Sequence, residues 1–231
     1  LTWNIRELRV KDEKTDARFS FRVSREGTDF SYSGDLHKST VDSLIINELE
    51  ENAFVSGNLK GHIPVKNPVL ASVTGRVKAG DILIPLKNSA YRLKLDYLIL
   101  KADPDNYLIE SAGLTWGDQK FTTSGSLERK DEFMQVELNV LTNQIVYEKL
   151  EKMIAEMQSA ESKDQDKSKP SGFWELPLRG IVKISADRFI ISRFTAEPFS
   201  VDITLGPRLV RLDFTNAFIC GMPLPGNIDI T

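Results

Sequence analysis

Apolar and polar residues alternate one by one along most of this chain. Between Asp16 and Ser24, Ala17, Phe19, Phe21 and Val23 take turns with Arg18, Ser20 and Arg22. Successive side chains of a β-strand leave opposite faces of a sheet, so this pattern makes one apolar face and one wet face. A helix, which repeats every 3.6 residues, would scatter the same residues around its surface. The pattern returns in residues 91–97 and 134–140, at Phe199, Val201, Ile203 and Leu205, and in residues 210–214. Turn signals separate the runs: Glu26-Gly27, Asn67-Pro68, Gly80-Asp81, Asp103-Pro104-Asp105-Asn106, Gly117-Asp118, Lys130-Asp131 and Gly206-Pro207. Their spacing suits hairpins, which predicts a mostly antiparallel sheet and argues against βαβ units.

By alternation, Phe19, Phe21, Leu93, Leu95, Val136, Leu138, Val201, Ile203, Leu212 and Phe214 share one interior. Arg22, Lys94, Glu137, Asp202 and Arg211 face water. Gly57, Gly61, Gly75 and Gly125 fall inside alternating runs. An interior glycine weakens a strand but permits bulges, tight curvature and close backbone approach. The expectation is therefore an all-β chain with one helix, built on a curved, mostly antiparallel sheet. Ordinary bulges in a β-sandwich are the alternative.

The helix is expected over Gln144–Ala160. Val146, Leu150, Met153 and Met157 step by 4, 3 and 4, Ile145 and Ile154 widen the stripe, and Thr142 or Asn143 can cap its start. Its polar face mixes Glu148, Lys149, Glu151, Lys152 and Glu156, which suits core packing better than a membrane surface. Residues 161–170 hold no apolar side chain. The organisation expected is a β segment over 1–160 ending in the helix, a flexible polar linker over 161–171, and a β segment over 172–231. The last segment is too short for a core of its own and continues the same sheet. The chain opens on Leu1 in a strand-like run and still alternates at Asn227–Thr231, as expected of a piece of a longer protein.

Chemistry-bearing residues are few. The 30 basic residues stand against 33 acidic ones, so no basic surplus speaks for nucleic acid. Cys220, the single cysteine, permits no internal disulfide and no cysteine-based zinc cluster, and reads as a buried thiol. His62 falls on the polar side of its run, and His37 lies beside Lys38 and Ser39 in an expected loop. Asp103-Pro104-Asp105-Asn106 is a turn sequence before it is a calcium loop. No phosphate-binding loop, dinucleotide fingerprint, nucleophile elbow or paired-histidine zinc motif occurs. No catalytic residue, metal ligand or cofactor is expected, and the chain is read as a non-enzyme.

Three stretches carry a likeness. They are residues 54–61 with the strands that follow through Leu127, residues 176–187, and residues 210–226, which read Val-Arg-Leu-Asp-Phe-Thr-Asn-Ala-Phe-Ile-Cys-Gly-Met-Pro-Leu-Pro-Gly. Together they resemble the C-terminal region of the AsmA-like family, envelope proteins of the AsmA and TamB type. The resemblance implies that the sheet forms an elongated groove with an apolar floor. It implies a periplasmic segment of an inner-membrane-anchored protein, the anchor lying N-terminal to this sequence. The partners implied are phospholipid, whose acyl chains the groove shields between inner and outer membranes, and other envelope proteins. The alternative function is a β-sandwich scaffold or interaction domain of an envelope assembly protein.

Overall fold

The computed structural model describes residues 2–41, 52–66, 71–84, 93–130, 133–152, 155, 178–207 and 209–230. The described chain is nearly all β: fourteen strands in one mostly antiparallel sheet that is not closed. The strands are β1 (Trp3–Lys11), β2 (Asp16–Val23), β3 (Gly27–His37), β4 (Phe54–Pro64), β5 (Ser72–Ile84), β6 (Leu93–Asp103), β7 (Asn106–Trp116), β8 (Gln119–Arg129), β9 (Met134–Val146), β10 (Leu178–Ile191), β11 (Phe194–Leu205), β12 (Val210–Ile219), β13 (Met222–Pro223) and β14 (Gly226–Ile230). Neighbours in the sheet follow chain order from β1 to β13, and β14 pairs with β12. A short helix α1 (Lys38–Val41) follows β3. Residues 147–152 and Ala155 are also helical.

Contacts divide the chain into two compact units: Leu1–Leu83 with Leu95–Ala112, and Ile84–Lys94 with Gly113–Thr231. In the first, the β1–β2 turn is built around Asp12, whose carboxylate accepts the N–H groups of Lys14 and Thr15 at 2.8 and 2.7 Å. This is the local turn chemistry aspartate favours. The Thr40 hydroxyl of α1 also donates to Asp12. These bonds, led by the Thr40 hydroxyl, hold the Asp12 carboxyl below its ordinary pKa. Thr15, almost fully buried, shares a 2.6 Å hydrogen bond with Thr40 and accepts the His37 N–H. His37 is thus the last residue of β3, tied at a strand end, where the sequence suggested a loop.

In the second unit, β9 and β10 run parallel, from Leu178 opposite Met134 to Ile190 opposite Val146. Parallel neighbours need a crossover of a dozen or more residues. Residues 147–177 supply it, so one strand–helix–strand connection does occur, against the expectation from turn spacing. The expected helix start is also corrected. Gln144, Ile145 and Val146 belong to β9, where they pair with Arg188, Phe189 and Ile190. A ladder on β10 outweighs a local helical stripe. Met153, Ile154 and residues 156–177, including the whole of the expected polar linker, lie outside the described residues.

Glycine geometry explains how the strands bend. Gly57 has φ 136°, and a methyl group added there would stand 2.1 Å from the Arg76 carbonyl oxygen of the adjacent strand. Gly180 has φ 137°, and its added methyl would meet the Val136 oxygen at 1.9 Å. Only a residue without Cβ holds this backbone against its neighbour. Such glycine kinks coil a sheet locally.

Candidate functional site: an apolar sheet face

Register aligns the alternating residues into rows across the strands. In the first unit, Leu8, Phe19, Tyr32, Leu59 and Gly75 form one row, and Ile5, Phe21, Phe30, Gly61 and Val73 form the next. Phe30 lies over Gly61, its ring carbons 2.7 and 2.8 Å from where a Gly61 Cβ would stand. Phe19 and Tyr32 have ring centroids 5.2 Å apart. The Tyr32 hydroxyl turns back to the Val55 carbonyl at 2.7 Å, and burial pushes its pKa up to about 12.

The opposite face carries polar rows. Arg22, Asp29, His62 and Ser72 lie side by side, and His62 Nδ1 is 2.7 Å from Asp29 Oδ1. An aspartate, a histidine and a serine in one row invite a hydrolase reading. The imidazole, however, lies over Gly27, its Nε2 2.6 Å from where a Gly27 Cβ would stand, and Gly27 is across β4 from Ser72.

The second unit repeats the plan. Thr123, Val140, Ile184, Val201 and Phe214 form one row. Gly125, Leu138, Val182, Ile203, Leu212 and Ile228 form the next. Leu127, Val136, Gly180, Leu205, Val210 and Ile230 form the third. Six of the residues expected to share an interior therefore stand together here: Val136, Leu138, Val201, Ile203, Leu212 and Phe214. Phe19 and Phe21 stand together in the first unit. Leu93 and Leu95 are partly buried on β6, with Leu93 in the second unit and Leu95 in the first. Val182 and Ile184 complete the rows of the second unit. The alternation Ile181-Val182-Lys183-Ile184 hides them, because apolar Ile181 falls on the wet side.

On that wet side Glu137, Ile181, Thr204, Arg211 and Asp229 align. Arg211 holds Asp229 by two bonds of 2.7 and 2.9 Å. The pair raises the Arg211 pKa and holds the Asp229 carboxyl below its usual range, chiefly through the hydrogen bonds.

The apolar rows are thinly covered. Among the described residues no leucine is buried, and of the fourteen buried apolar residues eight are alanines. A sheet packed tightly against a second layer buries its leucines and isoleucines first. Here Phe21 is 37% exposed and Ile228 50%, whereas Val136 and Val201 are 3% and 4%. Deep burial concentrates at one end of the second unit, where Ile145, Ala186, Ala196, Phe199, Val201 and Ala217 cluster. Leu150, from helical residues 147–152, packs against that cluster. Lys149 bonds Asp118, lowering its pKa, and Glu148 accepts the Ser192 N–H. Leu150, one residue of the helical stripe, thus meets an apolar part of the sheet. Cys220 is exposed in the turn between β12 and β13, not buried as its apolar neighbours suggested.

One feature gave no sequence signal. The buried side-chain polar atoms without a hydrogen-bond partner among the described residues are Trp116 Nε1, both amide atoms of Gln119, and Thr123 Oγ1. All three residues belong to the β7–β8 hairpin. Each such group costs about 1–3 kcal/mol of desolvation.

No helix among the described residues is long and apolar enough to cross a membrane. No protein-family model matches the chain, and no curated protein matches it.

Proposed function

We propose that this chain is a segment of an AsmA-like, bridge-type lipid transfer protein, in which the apolar rows floor an elongated groove that shields phospholipid acyl chains. One observation carries the reading: in each unit, aligned apolar rows span adjacent strands on one face while many of their large side chains, Phe21 and Ile228 among them, stay partly exposed. Such a face is a cost to a free-standing domain, because exposed apolar patches favour association. It suits hydrocarbon cargo. Each CH₂ kept from water is worth about 0.8 kcal/mol, so one sixteen-carbon chain gains on the order of 12 kcal/mol of shelter along such a floor. Headgroups stay in solvent, so transfer needs no catalytic residue, metal or cofactor from the chain. The wet faces, with Arg22, Glu137, Asp202 and Arg211, keep the outside hydrated. In this reading the segment works in the periplasm, as part of an inner-membrane-anchored protein.

The test is lipid content. Protein purified without detergent is expected to carry phospholipid, seen by native mass spectrometry and by extraction. It is also expected to speed exchange of a fluorescent phospholipid between donor and acceptor vesicles. A chain that carries no lipid and leaves exchange at the background rate is not a groove segment.

A further inference from the structure

We propose that the turn end of the β7–β8 hairpin is a polar anchor for the ester linkage of a diacyl lipid, an assignment that rests on the lipid-carrying reading above. Gly117 and Asp118 form a two-residue turn, so Trp116 and Gln119 face each other across it. Along β8 the residues Gln119, Phe121, Thr123, Gly125 and Leu127 share one side. Thr123 pairs with Val140 and Gly125 with Leu138, which joins that side to the apolar rows of the second unit.

All of the unpartnered buried side-chain polar atoms among the described residues are on this hairpin. Gln119 is 3% exposed and both ends of its amide are unbonded. Nearby polar groups do find partners: the Thr142 hydroxyl donates to the Lys120 carbonyl at 2.7 Å, and Ser200 bonds Ser185 at 3.3 Å. Buried polar atoms in folded proteins are bonded as a rule, and exceptions call for a missing partner.

The donor set describes that partner. Trp116 Nε1 can only donate, the Gln119 amide nitrogen donates, and the Thr123 hydroxyl can rotate to donate; the Gln119 amide oxygen is the one acceptor of the set and is left to water. Three donors beside an apolar floor suit carbonyl oxygens attached to hydrocarbon. The paired esters of a diacyl glycerophospholipid have that chemistry, with chains to lie along the rows of Leu138 and Val140.

The test compares two lipids on the intact chain: dioleoyl phosphatidylglycerol and its dioleyl ether analogue, which keeps chains and headgroup but lacks both carbonyls. Retention after gel filtration is read by extraction and mass spectrometry. The wild-type chain is expected to prefer the ester about tenfold, the worth of one to two net hydrogen bonds. Gln119→Leu/Thr123→Val is expected to melt at or above the wild-type temperature and to lose that preference while still retaining the ether lipid. If the double variant does not fold, Trp116→Phe serves and should reduce the preference in part. Equal retention of ester and ether by the wild-type chain overturns the anchor and leaves the groove standing; the orphaned atoms are then met by water. Equal loss of both lipids in the variants points to headgroup or chain contact and overturns it too. Retention of neither lipid by the wild-type chain overturns the anchor and the groove together.

Discussion

A charge placed on the apolar rows should have opposite effects at their two ends. Val201 is 4% exposed, flanked in its row by Ile184 and Phe214, and belongs to the buried cluster around Phe199. Val201→Asp forfeits about 1.5–3 kcal/mol of side-chain burial. It also drives a carboxyl into an apolar cluster at several kcal/mol more. The sum approaches the whole stability of a domain, about 5–15 kcal/mol, so the second unit should unfold or aggregate. Ile228 lies on the same face in β14 but is 50% exposed. Ile228→Asp loses about half the burial, roughly 1 kcal/mol, with up to about 1 kcal/mol for strand preference. Its carboxylate keeps its water. At about 2–4 °C per kcal/mol for a chain of this size, the melting point should fall by roughly 4–8 °C. The folded Ile228→Asp chain should nonetheless retain lipid poorly, by more than about tenfold, because acyl chains on this row must strip water from the new charge. Thr204→Asp, on the wet face opposite Arg211, is the control and should change neither reading. Thermal melts with lipid extraction on the three variants decide the matter. If Ile228→Asp collapses as Val201→Asp does, the face is covered and the open-face argument fails. If it melts mildly and keeps its lipid, the row of Ile228 does not touch cargo.

Other expectations follow from single contacts. Gly180→Ala should cost about 3 kcal/mol or more, since its Cβ meets the Val136 carbonyl and its φ is one that alanine rarely adopts, and a denaturant melt would measure this. Hydrogen-exchange protection factors in β14, taken against the intrinsic rate at each pH, should fall at acid pH. The Asp229 carboxyl titrates below its unfolded value of about 3.9, so the hold of Arg211 on β14 is complete above that pH and is lost as pH falls through the depressed pKa. Unchanged β14 protection factors between pH 7 and pH 2 would contradict that. His62→Ala and Cys220→Ser, one on the wet face and one in an exposed turn, should leave vesicle-to-vesicle lipid exchange as it was. Loss of exchange in a well-folded His62→Ala chain would reopen a chemical role for the Asp29–His62 pair.

Alternation is a local property, and it alone determined that the chain is β, which side of each strand is apolar, and that Val136, Leu138, Val201, Ile203, Leu212 and Phe214 share a face. A strand has only two sides, so parity in the sequence becomes parity in space wherever the register holds. Interior glycines were legible for the same reason, as positions where a side chain has no room. Pairing between distant strands is not local. Nothing near Met134–Val146 announces a parallel neighbour beginning at Leu178, and the helical spacing of Val146 and Leu150 gives way there because a backbone ladder on β10 satisfies more hydrogen bonds than one more helical turn. Burial likewise belongs to the assembled sheet. Phe218 and Ile219 promised a buried Cys220, yet the turn at Gly221 carries the thiol outward. Nothing local to Gln119, polar and next to the Gly117-Asp118 turn, signals burial, and only the fold closes over its amide. Which strands stand together, and therefore which polar atoms lose their water, was decided by tertiary structure, because solvent exclusion is a property of neighbours that the chain brings from far away.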